Sequence, residues 1–184
     1  MELQKRAVRH VATVVVGGLL LAACSPEPTP LPPAPAPVAT PVETHLERQQ
    51  RLDFEAAEKS YRRFNAEYER IALLGGTEKS TPELQRYATG PYLKSMLGFL
   101  RNEKRSGNHQ TGRMRVAYIH RGFYSTESLR MSTCEDASAL FNVARDGTVV
   151  NKGTSVEVSI EVRRIEGVWK LWDGDDQEVK SCAD

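Results

Sequence analysis

The feature that most constrains the fold is a change in the spacing of apolar residues at Gly107. Before this glycine, apolar side chains recur at three- and four-residue steps, which places them on one face of a helix. After it, apolar and polar residues alternate, as in strands that bury one face and expose the other. Helices followed by antiparallel strands predict an α+β domain, in which the helices pack on one face of the sheet.

A long first helix is predicted over residues 44–74. Thr44 and Glu47 have the spacing of a capping box, and Gly75-Gly76 ends the helical pattern. The apolar stripe between them is largely aromatic, which is typical of a side that faces a core. A coiled-coil dimer is the alternative, although fewer than three heptads are apolar.

Two shorter helices and five strands are predicted after it. Thr81 caps the second helix, and Pro91 opens a third that extends to about Lys104. Strands are expected over 113–123, 128–135, 139–144 and 155–165, with a last strand after a turn at Glu166-Gly167.

The last hairpin predicts a register. A two-residue turn pairs Val162 with Leu171 on the core side of the sheet, and it places Trp172 opposite Glu161 on the outer face. A large aromatic residue is uncommon there unless something covers it. We therefore expect Trp172 to contact an envelope protein or a second copy of the chain. The alternatives are that the C-terminal tail covers it or that a bulge turns it inward.

The first 23 residues have the organisation of a bacterial lipoprotein signal. A basic start is followed by an apolar segment over 11–21 and by the lipobox Leu21-Ala22-Ala23-Cys24. The apolar segment is far shorter than the roughly 20 residues of a membrane-spanning helix, which disfavours an uncleaved anchor. We expect cleavage of residues 1–23 and lipidation of Cys24, with palmitate among its acyl chains. The lipid would hold the protein on the outward-facing side of the cell membrane.

A proline-rich linker is predicted over residues 24–43. It holds eight prolines, which exclude a helix or a central strand and favour a semi-rigid polyproline spacer. The domain itself is then expected over 44–184. Loss of three basic residues and one acidic residue with the signal leaves 22 Lys and Arg against 23 Asp and Glu, a net charge of −1. This balance offers no general attraction to nucleic acid, and no nucleic-acid partner is expected.

Two cysteines remain beyond the lipidation site, Cys134 and Cys182. Export places them in an oxidising compartment, where two such residues usually pair, and two free thiols are the alternative. Two cysteines without a histidine at ligand spacing do not form a zinc site, and no metal or cofactor is expected. The acidic run Asp173–Asp176 lacks the spacing of a calcium-binding EF-hand and is predicted to be a solvated loop.

Three stretches resemble the nuclear transport factor 2-like superfamily, in particular its small exported lipoproteins from actinobacteria. They are Leu84–Leu93, Cys134–Ser138 and Val168–Leu171, followed by Cys182. The resemblance covers about residues 54–182. It implies a curved antiparallel sheet around a long helix, which makes a cone with a pocket, and a bond between Cys134 and Cys182. Enzymes of this superfamily place an aspartate, a histidine or a tyrosine inside the cone for acid–base chemistry.

Candidate acid–base residues are few. His45 falls in an exposed helical turn and His109 in a loop, whereas Tyr118 and His120 on one strand are expected to line the cavity together. No carboxylate is placed to orient His120, and no nucleophile elbow or phosphate-binding loop occurs. We therefore expect a non-catalytic binding or scaffolding module at the cell envelope. The alternative is a small-ligand carrier, or an acid–base enzyme of the isomerase or dehydratase type, that uses the cavity.

Overall fold

The computed structural model describes residues 42–183. The predicted signal peptide, the predicted lipidation site Cys24 and nearly all of the linker therefore lie outside the described residues. Within residues 42–183, no helix combines the length and hydropathy needed to cross a membrane. The described elements, in chain order, are α1 (His45–Leu73), α2 (Pro82–Tyr87), α3 (Gly90–Ser106), β1 (His109–Thr111), β2 (Arg115–Tyr124), β3 (Ser128–Asp136), β4 (Phe141–Val143), β5 (Val149–Lys152), β6 (Ser155–Ile165) and β7 (Val168–Val179).

The long first helix begins and ends where the sequence predicts. The Thr44 hydroxyl accepts from the Glu47 backbone N–H, and the Glu47 carboxylate accepts from the Thr44 N–H, which completes the capping box. Beyond Leu73, Gly76 has a φ of +76° and lies against the end of α3. A Cβ at this position would lie 2.0 Å from the Leu100 carbonyl oxygen, so only glycine fits.

The main sheet has four antiparallel strands in the order β2-β3-β6-β7, and α1 and α3 pack on one face of it. From α1, Phe54, Tyr61 and Phe64 are buried against this face, as the aromatic stripe predicts. The α+β architecture predicted from the sequence, with helices packed on an antiparallel sheet, is confirmed. The strand residues that contact the helices are Leu129 and Met131 on β3, Ile160 and Val162 on β6, and Leu171 on β7.

The predicted strand over 139–144 does not join the main sheet. Its ordered part, β4, pairs with β1 and β5 in a separate three-stranded sheet. Strands β1 and β5 have three and four residues, too few for an alternating pattern to identify them from the sequence.

The last hairpin confirms one part of the predicted register and corrects another. Glu166 and Gly167 both have positive φ, and Val162 pairs with Leu171 as predicted. Beyond that pair a β-bulge inserts Trp172, so Asp173 rather than Trp172 lies opposite Glu161. The prediction that Trp172 faces Glu161 is therefore wrong. The predicted solvated loop from Asp173 is also wrong, because β7 continues through it to Val179.

A buried carboxylate joins α1 to three strands of the main sheet. Asp53 on α1 accepts hydrogen bonds from the Tyr124 hydroxyl at 2.8 Å and from Trp169 Nε1 at 3.1 Å, and it pairs with Arg164. The Arg164 guanidinium lies over the Trp169 ring, 4.7 Å from its centroid. Such a charge remains buried only because its partners replace the water that folding removes.

Cys134 and Cys182 form a disulfide, as predicted, with their Cα atoms 5.6 Å apart. Cys134 pairs in the sheet with Tyr118 and Glu157 and faces away from the helices, so the bond holds the C-terminal tail on the outer face. The bond joins residues 48 positions apart. By lowering the entropy of the unfolded chain, a cross-link over a loop of that length stabilises the folded state by about 4 kcal/mol at room temperature.

Candidate functional site

A pocket of about 320 Å³ lies between α3 and the helix-facing side of the main sheet, and it is called the Glu135 pocket below. Helix α3 presents Tyr92, Met96 and Phe99 to it, because positions four and then three residues apart share one helix face. The remaining lining residues are Pro91 and Ser95 on α3, Glu135 on β3, Val156 and Val158 on β6, and Asp173 to Asp176 on β7.

Strand pairing explains why Glu135 and Asp176 face the same space. Glu135 lies opposite Val156, and Val158 lies opposite Asp176, so all four share the face on which the helices pack. Because successive residues alternate between faces, Glu135 follows the buried Met131 and Thr133 along the inner side of β3. The pocket therefore contains two carboxyl groups, one on each side of β6.

Glu135 is held by a tyrosine from the long helix. The Tyr61 hydroxyl, buried on α1, donates to Glu135 Oε1 and lies 3.0 Å from Thr133 Oγ1. Residues 61 and 135 lie far apart in sequence, so only the packing of α1 on the sheet brings these groups together. This contact fixes the carboxyl group at the wall of the pocket.

The surroundings of Glu135 favour its protonated form. Burial raises the pKa of Glu135, and the nearby Asp176 carboxylate raises it further, whereas the hydrogen bond from Tyr61 opposes the shift. Burial, together with the charge of Glu135, also raises the pKa of Tyr92 well above its usual value. Tyr92 consequently stays a neutral phenol beside the pocket, while Glu135 keeps its proton to a higher pH than a free glutamate does.

A second acidic residue with a raised pKa lies on α3 outside the Glu135 pocket. Glu103 is only 4% exposed, and burial raises its pKa to about 7, with the nearby Gln110 side chain acting in the opposite direction. Its Oε2 atom has no hydrogen-bond partner among the described residues. Across the same residues, no three His, Cys, Asp or Glu side chains converge as metal ligands.

Tyr118 and His120 do not line the pocket, and the expectation that they do is wrong. Their ring centroids lie 4.5 Å apart, and their pairing partners are Cys134 and Ser132 on the face away from the helices. A register shift follows Val116, which itself lies opposite Glu135 on the inner face. This bulge adds one residue to β2 and moves Tyr118 and His120 to the other face of the sheet, until a second register shift before Tyr124 restores the original alternation.

Trp172 is partly buried by contacts within the domain. The ring lies against Gly90, where an added Cβ would be 2.9 Å from Trp172 Cε3, and the Arg163 guanidinium lies 4.3 Å from the ring centroid. Gly90 has a φ of +60°, a second reason for glycine at this position. These contacts account for a tryptophan here without a partner protein. Its role in an interface stays a prediction.

Sequence reasoning missed both central residues of the pocket. Tyr61 is one aromatic residue in a stripe that packs in the core, and nothing local marks its hydroxyl as a ligand of Glu135. A usable signal exists for Glu135, since it continues the inward alternation of Leu129, Met131 and Thr133 along β3. An acidic residue on the buried face of a strand indicates a functional or paired carboxyl group.

No family model and no curated protein matches the sequence. Similar solved structures include a protein of the nuclear transport factor 2-like family from Streptomyces avermitilis, provisionally assigned as a dehydratase. It is 13% identical with a TM-score of 0.48, over 72% of this chain and 99% of that chain. A provisionally assigned aromatic ring hydroxylase from Novosphingobium aromaticivorans is 19% identical with a TM-score of 0.43, over 72% and 90%.

A further similar structure, from the same organism, is a nuclear transport factor 2-like protein with a cystatin-like fold. It is 12% identical with a TM-score of 0.41, over 78% of this chain and 95% of that chain. Two of these proteins are named as members of the nuclear transport factor 2-like family, which the sequence also resembles. At such low identities the likeness concerns the fold alone, and the function has to be argued from this chain's own residues.

Proposed function

We propose that this domain binds a small, largely apolar molecule in the Glu135 pocket. The observation that carries the proposal is a preformed concavity with apolar walls and one fixed polar anchor, the Glu135 carboxyl group held by Tyr61. Sites for small molecules are typically concave and mostly apolar, with a few placed polar groups that orient the ligand. A volume of about 320 Å³ falls at the lower end of the usual range and suits a compact ligand.

An exposed aromatic residue at the pocket supports this proposal. Phe99 lines the pocket, yet 60% of it is exposed in the described structure. A ligand seated between Phe99 and Val158 would cover apolar surface at roughly 25 cal/mol for each Å² removed from water. Binding affinity is highest where the apolar walls are already in place, because few side chains of the protein then have to become ordered on binding.

Acid–base catalysis is the second candidate function, and the raised pKa of Glu135 favours it. A carboxyl group that titrates nearer to neutral pH is suited to take a proton from a substrate and to return it. Glu135 would act as the acid or base, and Tyr61 would orient it. Turnover that disappears in Glu135→Gln, with binding retained, would favour this candidate over a carrier.

We also propose that the domain works outside the cytoplasm, attached to the cell membrane through a lipid on Cys24. The support is the combination of a basic start, a short apolar segment and a lipobox before the proline-rich linker. Replacing Cys24 with Ala should leave the precursor unlipidated and unprocessed by the lipoprotein peptidase. A Cys24→Ala protein that is still processed and held in the membrane would contradict the assignment.

A blocking substitution tests the binding proposal directly. Ser95 is exposed on α3 and lines the pocket, so Ser95→Trp should fill it without disturbing the core. Lys94→Trp places the same side chain at an exposed position of α3 that does not line the pocket and is the matched control. Titration with the neutral apolar dye Nile red should give saturable one-to-one binding to the unmodified domain and to the control variant.

Ser95→Trp should weaken that binding at least tenfold. Equal binding by all three proteins would place the dye elsewhere on the surface. If, in addition, no small molecule raises the melting temperature of the unmodified domain more than that of Ser95→Trp, the Glu135 pocket is not a binding site.

A further inference from the structure

We infer that the ligand of the Glu135 pocket is an organic cation, an amine or ammonium joined to an apolar group. This inference rests on the proposed function, since it names the chemical class of the molecule that the pocket would take. It comes from two properties of the walls: the sign of the charges, and the apolar surface beside them.

The titratable side chains that line the pocket are all carboxyl groups, apart from the phenol of Tyr92. Glu135 and Asp176 lie on the inner face of the sheet, whereas Asp173 and Asp175 of β7 pair with Glu161 and Ser159 on the outer face of the sheet. Within residues 42–183, neither Glu135 nor Asp176 forms an ion pair. The two carboxyl groups of the pocket therefore have no cationic partner in direct contact within the described domain, and a concave shape concentrates the negative potential of an ionised carboxylate.

The two inner carboxyl groups increase this effect. Asp176 and Glu135 lie on either side of β6 and are close enough for the charge of one to oppose ionisation of the other. A cation between them would attract both and relieve that repulsion. An anionic ligand would add a third negative charge, and the pocket lining offers it no Lys, Arg or His.

The remaining wall distinguishes an organic cation from a metal ion. Met96, Phe99, Val156 and Val158 present carbon or sulfur rather than oxygen, and Tyr92 adds a second aromatic ring. Calcium and magnesium require six or more oxygen ligands, which half of this lining does not supply. Aromatic and apolar groups do suit an ammonium ion with a hydrocarbon substituent, through cation–π contact and burial of the substituent.

Three probes of nearly equal shape test this inference: 3-phenylpropylamine, 3-phenylpropanol and 3-phenylpropionate, which are cationic, neutral and anionic at pH 7.5. Isothermal titration of the domain over residues 42–184 should give an affinity for the amine at least tenfold above that for the alcohol. No binding of the carboxylate is expected. The amine should lose five- to tenfold in affinity in Asp176→Asn, and its affinity should be unchanged in the control Glu127→Gln, an exposed loop residue.

The outcomes that contradict the inference can be told apart from those that contradict the proposed binding function. Equal affinities for amine and alcohol, both abolished by Ser95→Trp, would refute the preference for cations and leave the proposed pocket intact. An amine affinity unchanged in Asp176→Asn would show that the pocket carboxyl groups do not recognise the charge. Displacement of the amine by equimolar CaCl₂ would assign the acidic groups to a metal ion. Failure of all three probes and of Nile red would refute the binding function itself.

Discussion

Glu103 should make the domain less stable as the pH rises, and Glu103→Gln should remove most of that loss. The carboxyl group is buried on α3, where Tyr68 of α1 and Gln110 of β1 are nearby. Gly76, on the loop after α1, packs against its Cβ. None of these neighbours is a cation, so the ionised form has no partner to offset its loss of water.

The sign of the effect follows from the two protonation equilibria. Burial raises the pKa of Glu103 to about 7 in the folded protein, against 4.5 for an unshifted glutamate. Between these values the folded state holds a proton that the unfolded state has lost, so the free energy of unfolding falls as the pH rises. The stabilisation by the protonated form is complete below about pH 4.5 and is lost as the pH passes 7.

The size of the loss has an upper limit set by the pKa difference. Each pH unit between the two pKa values corresponds to about 1.4 kcal/mol, which gives about 3 kcal/mol at most. Water that reaches the carboxyl group lowers this figure, so a loss of about 1–3 kcal/mol between pH 5 and pH 8 is expected. Because glutamine matches the shape of protonated glutamate, Glu103→Gln should resemble the unmodified domain at pH 5 and exceed it by that amount at pH 8.

Equilibrium unfolding in urea at pH 5, 6, 7 and 8 measures the effect. The raised pKa of Glu135 adds a dependence of the same sign, so Glu135→Gln has to be measured beside Glu103→Gln. Glu127→Gln, in an exposed loop, should leave the pH profile unchanged. The prediction is contradicted if the free energy of unfolding of Glu103→Gln falls with pH as steeply as that of the unmodified domain, or if the substitution lowers stability equally at every pH. In either case Glu103 does not titrate near neutrality.

Three further substitutions test the packing of the domain. Asp53→Ala should lower the free energy of unfolding by about 3–5 kcal/mol, because it leaves Arg164 without its buried partner; a loss below 1 kcal/mol in urea unfolding would contradict this. Cys182→Ser should lower the free energy of unfolding by about 2–4 kcal/mol, and a reductant should lower that of the unmodified domain by the same amount. If Cys182→Ser is as stable as the unmodified domain, the disulfide does not stabilise the fold. Trp172→Ala should cost about 2 kcal/mol because Gly90 and Arg163 lose a packed ring, with sedimentation unchanged; weaker association at unchanged stability would instead support the interface prediction.

Features set by neighbouring residues could be predicted from the sequence. The start of α1 depends on a hydrogen-bond exchange between Thr44 and Glu47, three residues apart, and the hairpin depends on the two residues Glu166 and Gly167. The buried stripe of α1 follows from helical periodicity. Such interactions close within a few residues, so the pattern of residue types identifies them before the chain is folded.

The interior of the site was decided by tertiary structure. One bulge in β2 moves Tyr118 and His120 to the outer face, and another in β7 takes Trp172 out of the ladder. A bulge depends on how two distant strands fit each other, and one inserted residue reverses the face of every side chain that follows. The contact between Tyr61 and Glu135 likewise exists only because α1 packs on β3. Spacing along the chain predicted the elements, while the packing of remote segments placed the two carboxyl groups of the pocket.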